Sequence, residues 1–200
     1  TDKQLGETFS IPIFINLNSN RDLTFTPNIQ TTGNNFYNLD YRHLNDLFNL
    51  EINSSIHDND DNTGTSNHLF FESEIFNSYG NLNTYVKTSN NDTYMRKNKI
   101  NKLTVLKSGI EFDREVNDTF FSIETLGYKH LTTENQQWEY LYPNIVYDIY
   151  NIDNNIFDGN VSLNNKFSFR KNLNENYESL ASSQINLSNQ KINRNLGFIY

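Results

Sequence analysis

Cysteine is absent from this 200-residue chain, and proline, with three residues, and glycine, with eight, are scarce. Without cysteine the chain carries no disulfide framework. No apolar run approaches the roughly eighteen residues that a transmembrane helix needs, so no such helix is predicted. The first residues also lack the basic, apolar and small-residue pattern of a secretory signal.

Positive charge is scarce as well. The 16 lysines and arginines stand against 24 aspartates and glutamates, so the net charge is −8 and the isoelectric point is near 4.9. The densest basic stretch is Arg96–Lys99, of sequence RKNK. Nucleic-acid binding needs grouped lysine and arginine side chains to neutralise phosphates, so the composition disfavours that class of function. An acidic chain would also not attract an anionic ligand at long range.

Aromatic residues, by contrast, are plentiful. Only 36% of the residues are hydrophobic, yet 14% are aromatic, including twelve tyrosines and fifteen phenylalanines. A disordered chain would be poor in aromatic residues. A membrane β-barrel needs apolar residues at only every other strand position and lines its interior with polar ones. The composition therefore favours a polar, aromatic-rich β-protein of this kind.

The clearest pattern lies in Glu7–Thr32, where apolar and polar residues alternate in two arms joined by a turn at Ser19–Asp22. A period of two is typical of a strand with one apolar and one polar side. Each arm has roughly ten residues, the length at which a tilted strand crosses a bilayer. The apolar positions are Phe9, Ile11, Ile13, Ile15 and Leu17 in the first arm, and Leu23, Phe25, Pro27 and Ile29 in the second.

Two of the three prolines, Pro12 and Pro27, lie in the middle of these two arms. Proline has no N–H to donate to a ladder, so it is normally confined to edge strands, strand starts or bulges. A single proline would indicate only an edge strand. One proline in each of two paired strands would weaken pairing on both sides of one seam, which suits a strand pair that opens.

The sequence here resembles the first barrel strands of LptD, the lipopolysaccharide (LPS) assembly protein family of the Gram-negative outer membrane. The resemblance lies in Ser10–Leu17 and Asp22–Ile29. It continues in Asp40–Leu44, in Ser89–Tyr94 and in Tyr142–Ile145, and more loosely to the end of the chain. The resemblance implies an all-β fold, an antiparallel up-and-down transmembrane β-barrel, present here as an open portion of about eleven strands. Residues 1–200 would form one partial barrel domain, a fragment without the periplasmic domain and the closing strands.

The resemblance also implies a function, which is the insertion of LPS into the outer leaflet through the barrel lumen and a lateral gate. Pro12 and Pro27 stand at the positions where family members loosen that gate. The implied partners are LPS, outer-membrane lipid, a plug lipoprotein of the LptE type and the periplasmic proteins that bridge LPS to the barrel; no cofactor is implied. The lumen-facing positions of the gate strands would be Ser10, Phe14, Asn16, Thr24, Thr26 and Asn28.

Further along the chain, alternating segments predict more hairpins, no helix and no domain boundary. Pro143 interrupts an aromatic-rich strand, Trp138–Tyr150, which predicts a bulge. The stretch Asn90–Asn101 is a longer connection, and counting strands places it at the same end of the barrel as Thr1, the periplasmic end if Thr1 starts there. Aromatic residues such as those around Pro143 are typical of barrel girdles at the membrane interfaces.

Catalytic and metal-binding patterns are weak. The four histidines lie on separate segments without metal-ligand spacing. The loop Asp58–Asn67 starts like a calcium loop, but Thr63 and Leu69 occupy the positions where glycine and glutamate are needed. Glu72 and Glu74 are read as lumen-facing charges rather than a glycosidase pair. The sequence predicts no enzyme, no metal site and no cofactor.

Two alternatives remain at this point. A soluble extracellular β-sandwich or adhesin-type binding module would also show regular strands with turn signals. The predicted strands are longer than the usual five or six residues, and the apolar faces have no evident second sheet, which disfavours the sandwich. A general outer-membrane porin is disfavoured only by the paired prolines and by the wider resemblance. Asp40 and Arg42 are expected to form a simple charge pair two residues apart on the solvated face.

Overall fold

A computed structural model describes residues 7–58, 64–131, 138–152 and 159–188, and the short pairs 192–193 and 198–199. Most of these residues lie in β-strands. The strands are β1 (Thr8–Ser10), β2 (Ile13–Asn18), β3 (Arg21–Gln30), β4 (Phe36–Asn45), β5 (Phe48–Asp58), β6 (Thr65–Asn77), β7 (Gly80–Ser89), β8 (Val105–Val116), β9 (Thr119–His130), β10 (Trp138–Ile149), β11 (Asn160–Lys171), β12 (Tyr177–Ser188), β13 (Ile192–Asn193) and β14 (Phe198–Ile199).

One antiparallel sheet contains twelve of these strands in up-and-down order, β1-β3-β4 and so on to β12, with β2 also paired to β3. β13 and β14 form a separate pair. Counted as one interrupted arm, β1 and β2 bring the sheet to eleven arms, so the predictions of an all-β, up-and-down architecture and of about eleven strands are confirmed. Within the described part of the chain the sheet does not close on itself, since β12 and the β1–β2 arm each pair on one side only.

Register divides the sheet into two faces, because directly opposed residues point to the same side. One register row on the first side is Asp22, Arg42, Glu51, Glu72 and Tyr85. The neighbouring row, on the other side, is Leu23, Tyr41, Ile52, Phe71 and Val86. We call these sides the polar face and the apolar face. Many large side chains of the apolar face are exposed, with Phe9 at 65% and Ile185 at 67%.

The ladder between β7 and β8 covers only part of both strands. Pairing runs from Asn81 to Tyr85 on β7 and then stops. Beyond it, the Ser108 hydroxyl bridges to the backbone N and O of Lys87, at 2.9 and 3.2 Å. The connection from β7 to β8 joins these unpaired ends of the two strands and contains a short helix, α1 (Tyr94–Lys97).

A small apolar core holds this connection in place. Met95 is 1% exposed and Leu106 is fully buried, and both pack with Tyr94 and Leu131. Phe70 and Ile100 pack against this cluster. The cluster lies at the end of the sheet where β1, β4, β6, β8, β10 and β12 begin. We call it the Thr8 end, since Thr8 is the first strand residue there.

Two predictions of secondary structure are wrong and one is confirmed. The prediction of no helix misses α1, whose single turn is stabilised by tertiary packing rather than by a helical sequence period. The predicted loop Asp58–Asn67 extends too far, because β5–β6 pairing continues to Asp58↔Thr65. Pro143 does lie at a bulge, since the register of β10 shifts between Leu141 and Asn144.

Some predicted features fall wholly or partly on residues that the structure does not describe. The centre of the predicted inter-strand loop, 59–63, and most of the predicted turn at Asn189–Asn193 are among them. In the described part of the chain, no helix has the length and apolar character required to cross a membrane.

Candidate functional site

The first arm of the sheet is interrupted in its middle, at Ile11 and Pro12. β1 pairs with β3 through three residue pairs and β2 through five, and no residue pair joins the sheet between Ser10 and Ile13. At the break, a long hydrogen bond of 3.4 Å runs from the backbone N of Ile11 to the carbonyl O of Pro27. The arm is therefore held most weakly at its centre.

Pro27 weakens the ladder on the inner side of this arm. Within a strand, the N–H and C=O of one residue point to the same neighbour. Since the Pro27 carbonyl accepts from Ile11, the Pro27 nitrogen also faces the first arm and has no hydrogen to give it. Pairing of Pro27 with Tyr37 on β4 continues in register.

Pro12 weakens the outer side of the same arm. The Glu7 carbonyl accepts from the backbone N of Thr31 at 3.0 Å, and the Ile11 backbone N donates to the Pro27 carbonyl at 3.4 Å. The backbone groups of both residues therefore point inwards, towards β3. Alternation along the arm directs the backbone groups of even-numbered residues, including Pro12, to the outer edge. The expectation that both prolines loosen a single seam is therefore wrong: each loosens a different side of one arm.

The six predicted lumen-facing residues share the polar face. Ser10 pairs with Asn28, and Phe14 pairs with Thr24. The Ser10 hydroxyl donates to Asn28 Oδ1 at 2.6 Å, and the Asn28 amide donates to the Thr26 carbonyl at 3.0 Å. Phe14 is 62% exposed, an aromatic ring standing in an otherwise polar row. The complete set is Ser10, Phe14, Asn16, Thr24, Thr26 and Asn28.

Charges beside this arm pair across strands rather than along them. Arg42 donates to both carboxylate oxygens of Asp22, each at 3.1 Å. Asp40 instead accepts a hydrogen bond from the Asn53 amide. The expected pair of Asp40 and Arg42 on one strand is therefore wrong, because the opposed residues on β3 and β5 lie nearer than the i,i+2 neighbour.

Further along the polar face, a chain of hydrogen bonds leads from β4 to α1. It starts at Asp40, which accepts from Asn53. Asn53 Oδ1 lies 2.6 Å from His68 Nε2, and His68 Nδ1 lies 2.6 Å from the Ser55 hydroxyl. The Ser55 oxygen is in turn 2.7 Å from the Tyr94 hydroxyl. The chain ties three strands to the connection that covers the Thr8 end.

This network fixes the tautomer of His68. An amide oxygen only accepts, so Nε2 carries the proton and Nδ1 accepts from Ser55. Such a serine–histidine pair is chemically able to activate a nucleophile. Ser55 is only 6% exposed, His68 only 2%, and the Tyr94 ring covers both, which leaves no space for a substrate. The network therefore anchors α1 to the sheet.

Sequence reasoning missed this cluster. It treated His57 and His68 as separate, yet both rings lie against Tyr94, with centroids 5.9 and 6.3 Å away. Only register brings them together, because Ser55 pairs with His68 and His57 pairs with Ser66. Among the described residues, no group of histidine and acidic side chains has an arrangement that could hold a metal ion.

The two glutamates considered as a glycosidase pair point to the polar face and have partners there. Lys87 Nζ lies 2.6 Å from a Glu72 carboxylate oxygen. The Asn49 amide donates to Glu74 at 3.3 Å. This arrangement agrees with charges lining a solvated face.

We expect the α1 anchor to weaken above about pH 10. Burial raises the pKa of Tyr94 above its ordinary value, although the hydrogen bond with Ser55 acts in the opposite direction. As pH rises past the ordinary tyrosine pKa of about 10, the unfolded chain releases this proton while the folded chain keeps it, so stability falls. Amide exchange of residues 90–104 should accelerate in this window for the native chain. Tyr94→Phe, which has no proton to lose, should show no added acceleration; the same acceleration in both would contradict the assignment.

Comparison of the sequence with known families and curated proteins gives no functional assignment, so an assignment rests on the residues described above. The chain matches no model of a known protein family, and no curated protein matches it significantly in sequence.

Proposed function

We propose that this chain forms part of the wall of an outer-membrane β-barrel that delivers LPS to the outer leaflet through a lateral opening beside β1 and β2. The observation that carries the proposal is a single-layer sheet with one exposed apolar face and one polar face, ending in an arm that two prolines loosen on both sides. The resemblance to LptD rests on the same two arms.

The apolar face supports a lipid environment. In the described part of the chain, neither a second sheet nor a helix layer covers it. Leaving large apolar side chains in water costs about 25 cal/mol for each Å² that burial would remove. Lipid contact removes this cost without a second protein layer. The strands β3 to β12 have 10–13 residues, the length of tilted membrane strands.

Aromatic rings at the Thr8 end support a membrane interface. Trp138 stacks on Tyr140 with ring centroids 5.9 Å apart, and Tyr142 meets Phe169 at 5.7 Å. Phe169 then stacks on Tyr177, also at 5.7 Å. The ladder spans β10, β11 and β12 on the apolar face. Tryptophan and tyrosine concentrate at membrane interfaces, where an apolar ring and a polar edge are both satisfied.

The polar face supports a saccharide path. Hydroxyl and amide groups such as those of Ser10, Thr24 and Asn28 supply the donors and acceptors that sugar hydroxyls need. The saccharide of LPS would follow this face, while its acyl chains remain in a lipid environment. Both parts of an amphipathic glycolipid would then keep suitable surroundings during transfer.

The weakly paired first arm, β1 and β2, supports an exit route for the acyl chains. In a bilayer each unpaired backbone group costs several kcal/mol, so a wall of regular strands does not open readily. Pro27 lacks a donor towards β3 and Pro12 lacks one towards the outer edge, so parting at either side breaks fewer hydrogen bonds. Acyl chains would leave beside this arm. By resemblance, periplasmic bridge proteins would supply LPS, and an LptE-type lipoprotein would occupy the lumen.

A soluble β-sandwich predicts different behaviour. It would need a second sheet against the apolar face, and it would remain monomeric without detergent. Purification with and without detergent separates the two classes, and monodisperse protein in plain buffer would contradict membrane insertion.

The direct test is photo-crosslinking in cells that make the full-length protein. A photoreactive residue at Phe14 or Asn16, on the polar face of the first arm, should give an LPS adduct that depends on energised transport. Phe25, on the apolar face of β3, is the matched position for lipid contact. An inserted, folded protein that forms no LPS adduct at Phe14 or Asn16 would contradict LPS transfer beside Pro12.

A further inference from the structure

The connection between β7 and β8 is held rigidly, although it lies outside the strands. Tyr94 and Met95 are buried at 2% and 1% exposure. Asn91 Oδ1 accepts from the backbone N of both Thr93 and Tyr94, at 3.0 and 3.1 Å, which starts the helical turn. The anchor from Tyr94 to Ser55 then ties the turn to the polar face.

A buried lysine fixes the beginning of the same connection. Lys129 is only 5% exposed, and its Nζ donates to the Ser89 carbonyl at 2.7 Å. The Asp92 carboxylate lies 3.9 Å from the same nitrogen. Asn90 adds bonds to the backbone of β6, accepting from Asn67 N at 2.7 Å. The connection is therefore a fixed platform at the Thr8 end.

The platform presents a dense group of cations to solvent. Its four basic residues are all exposed and lie within seven positions: Arg96, Lys97, Lys99 and Lys102. None of them has an ion-pair partner among the described residues. Several basic side chains elsewhere form ion pairs, as in Arg42 with Asp22, Lys87 with Glu72 and Lys107 with Glu111. In a chain with a net charge of −8, this local excess calls for an anionic partner.

We propose that this platform is the docking surface for the phosphate groups of the glycolipid cargo as it reaches the polar face. The inference rests on the proposed function. Guanidinium and ammonium groups bind phosphate oxygens through charge-assisted hydrogen bonds. Clustered lysine and arginine side chains next to a bilayer attract anionic headgroups in the same way. The rigid backbone lowers the ordering cost of binding.

The charge of the polar face explains why such a platform is needed. Further along strands β5, β6 and β8 from the platform, the polar face carries carboxylates, among them Glu51, Glu72 and Glu111. An anionic headgroup approaching this wall is repelled. Four unpaired cations at one end of the wall offset that repulsion where the headgroup first meets the protein. Phosphate would dock there before the saccharide enters.

The test uses the full-length protein in detergent and native mass spectrometry with lipid A that carries both phosphates. Arg96→Gln/Lys97→Gln/Lys99→Gln removes three platform cations. The matched control, Arg21→Gln/Arg114→Gln/Lys166→Gln, removes three exposed cations that also lack ion pairs. Each cation near an anionic surface contributes about fivefold, so the platform variant should bind about a hundredfold more weakly. The control should change binding by less than about fivefold.

Two comparison lipids make the outcome specific. Lipid A without phosphates should bind the native protein as weakly as it binds the platform variant. Equal losses in the platform and control variants would overturn the docking surface. Phosphatidylglycerol binding that is as tight and as dependent on the platform would assign the surface to bilayer lipid and overturn the cargo proposal. Lipid A binding by the platform variant that is as tight as in the native protein, with LPS crosslinking at Phe14 still observed, would overturn only this proposal.

Discussion

Replacing Pro27 with valine is expected to slow LPS export by about two- to tenfold, and Pro12 to threonine by a similar factor. Each substitution supplies an N–H that proline lacks, and one ladder hydrogen bond is worth about 0.5–1.5 kcal/mol net. At about 1.4 kcal/mol per factor of ten, this lowers the population of the open seam by the factor stated. The measurement is the rate at which newly made LPS appears at the cell surface.

The two substitutions act on different sides of the first arm. The N–H added at residue 27 faces Ile11 and strengthens pairing between the first arm and β3. The N–H added at residue 12 faces the outer edge. Because Pro12 directly follows Ile11, which bonds Pro27, the two sites are close enough to couple, and the double variant should slow export at least as much as the stronger single variant. Detergent and antibiotic sensitivity of the cells should rise in the same order.

Leu23→Val, on the apolar face of β3, is the control for the proline substitutions. It changes a side chain on the same strand and leaves both prolines and the backbone donors as they are. Its export rate should equal that of the native protein. Export that is equally fast in the proline variants and the native protein, at matched levels of inserted protein, would contradict the gate.

Replacing Leu106 with alanine is expected to give the largest loss of local stability. Leu106 is fully buried against Tyr94, Met95 and Leu131. Leucine-to-alanine changes in packed cores cost about 2–5 kcal/mol, since both transfer energy and packing are lost. This cluster is small, so we expect about 2–3 kcal/mol. Amide exchange across residues 90–104 should rise about 30- to 150-fold, measured by mass spectrometry.

Ile110→Ala supplies the control for this change. Ile110 lies four residues further along the same strand, is 55% exposed and is not part of the cluster. Exposed substitutions usually change stability by about 0.5 kcal/mol or less, so exchange in residues 90–104 should stay nearly constant. Equal acceleration in both variants would show that the connection is not held by the Leu106 cluster.

The strands could be read from the sequence because their signal is local. Alternation with a period of two in Phe9–Leu17 and Leu23–Ile29 depends only on which residues meet water and which do not. Both arms and both faces were found where alternation places them. The bulge at Pro143 followed from the missing N–H of proline alone. For these features, no knowledge of distant contacts was needed.

The role of the prolines was only partly readable. Their identity and mid-arm positions stand in the sequence, but the direction of each missing N–H depends on which neighbour the residue faces. That direction is fixed by the register of the first arm against β3, through the Ile11 to Pro27 bond. A shift of the first arm by one residue would turn the Pro12 nitrogen towards β3 instead, so the sequence pattern alone led to the wrong prediction of a single seam.

The sequence by itself determined an antiparallel β-sheet with one polar and one apolar face and two prolines in its first hairpin, because period and proline chemistry act locally. Only the tertiary structure decided that Ser55, His68 and Tyr94 meet, that α1 forms and that the Arg96–Lys99 stretch is held on a fixed platform. These features join residues 13 to 39 positions apart in the chain. Their stability comes from packing and hydrogen bonds that exist only after the strands have chosen their register.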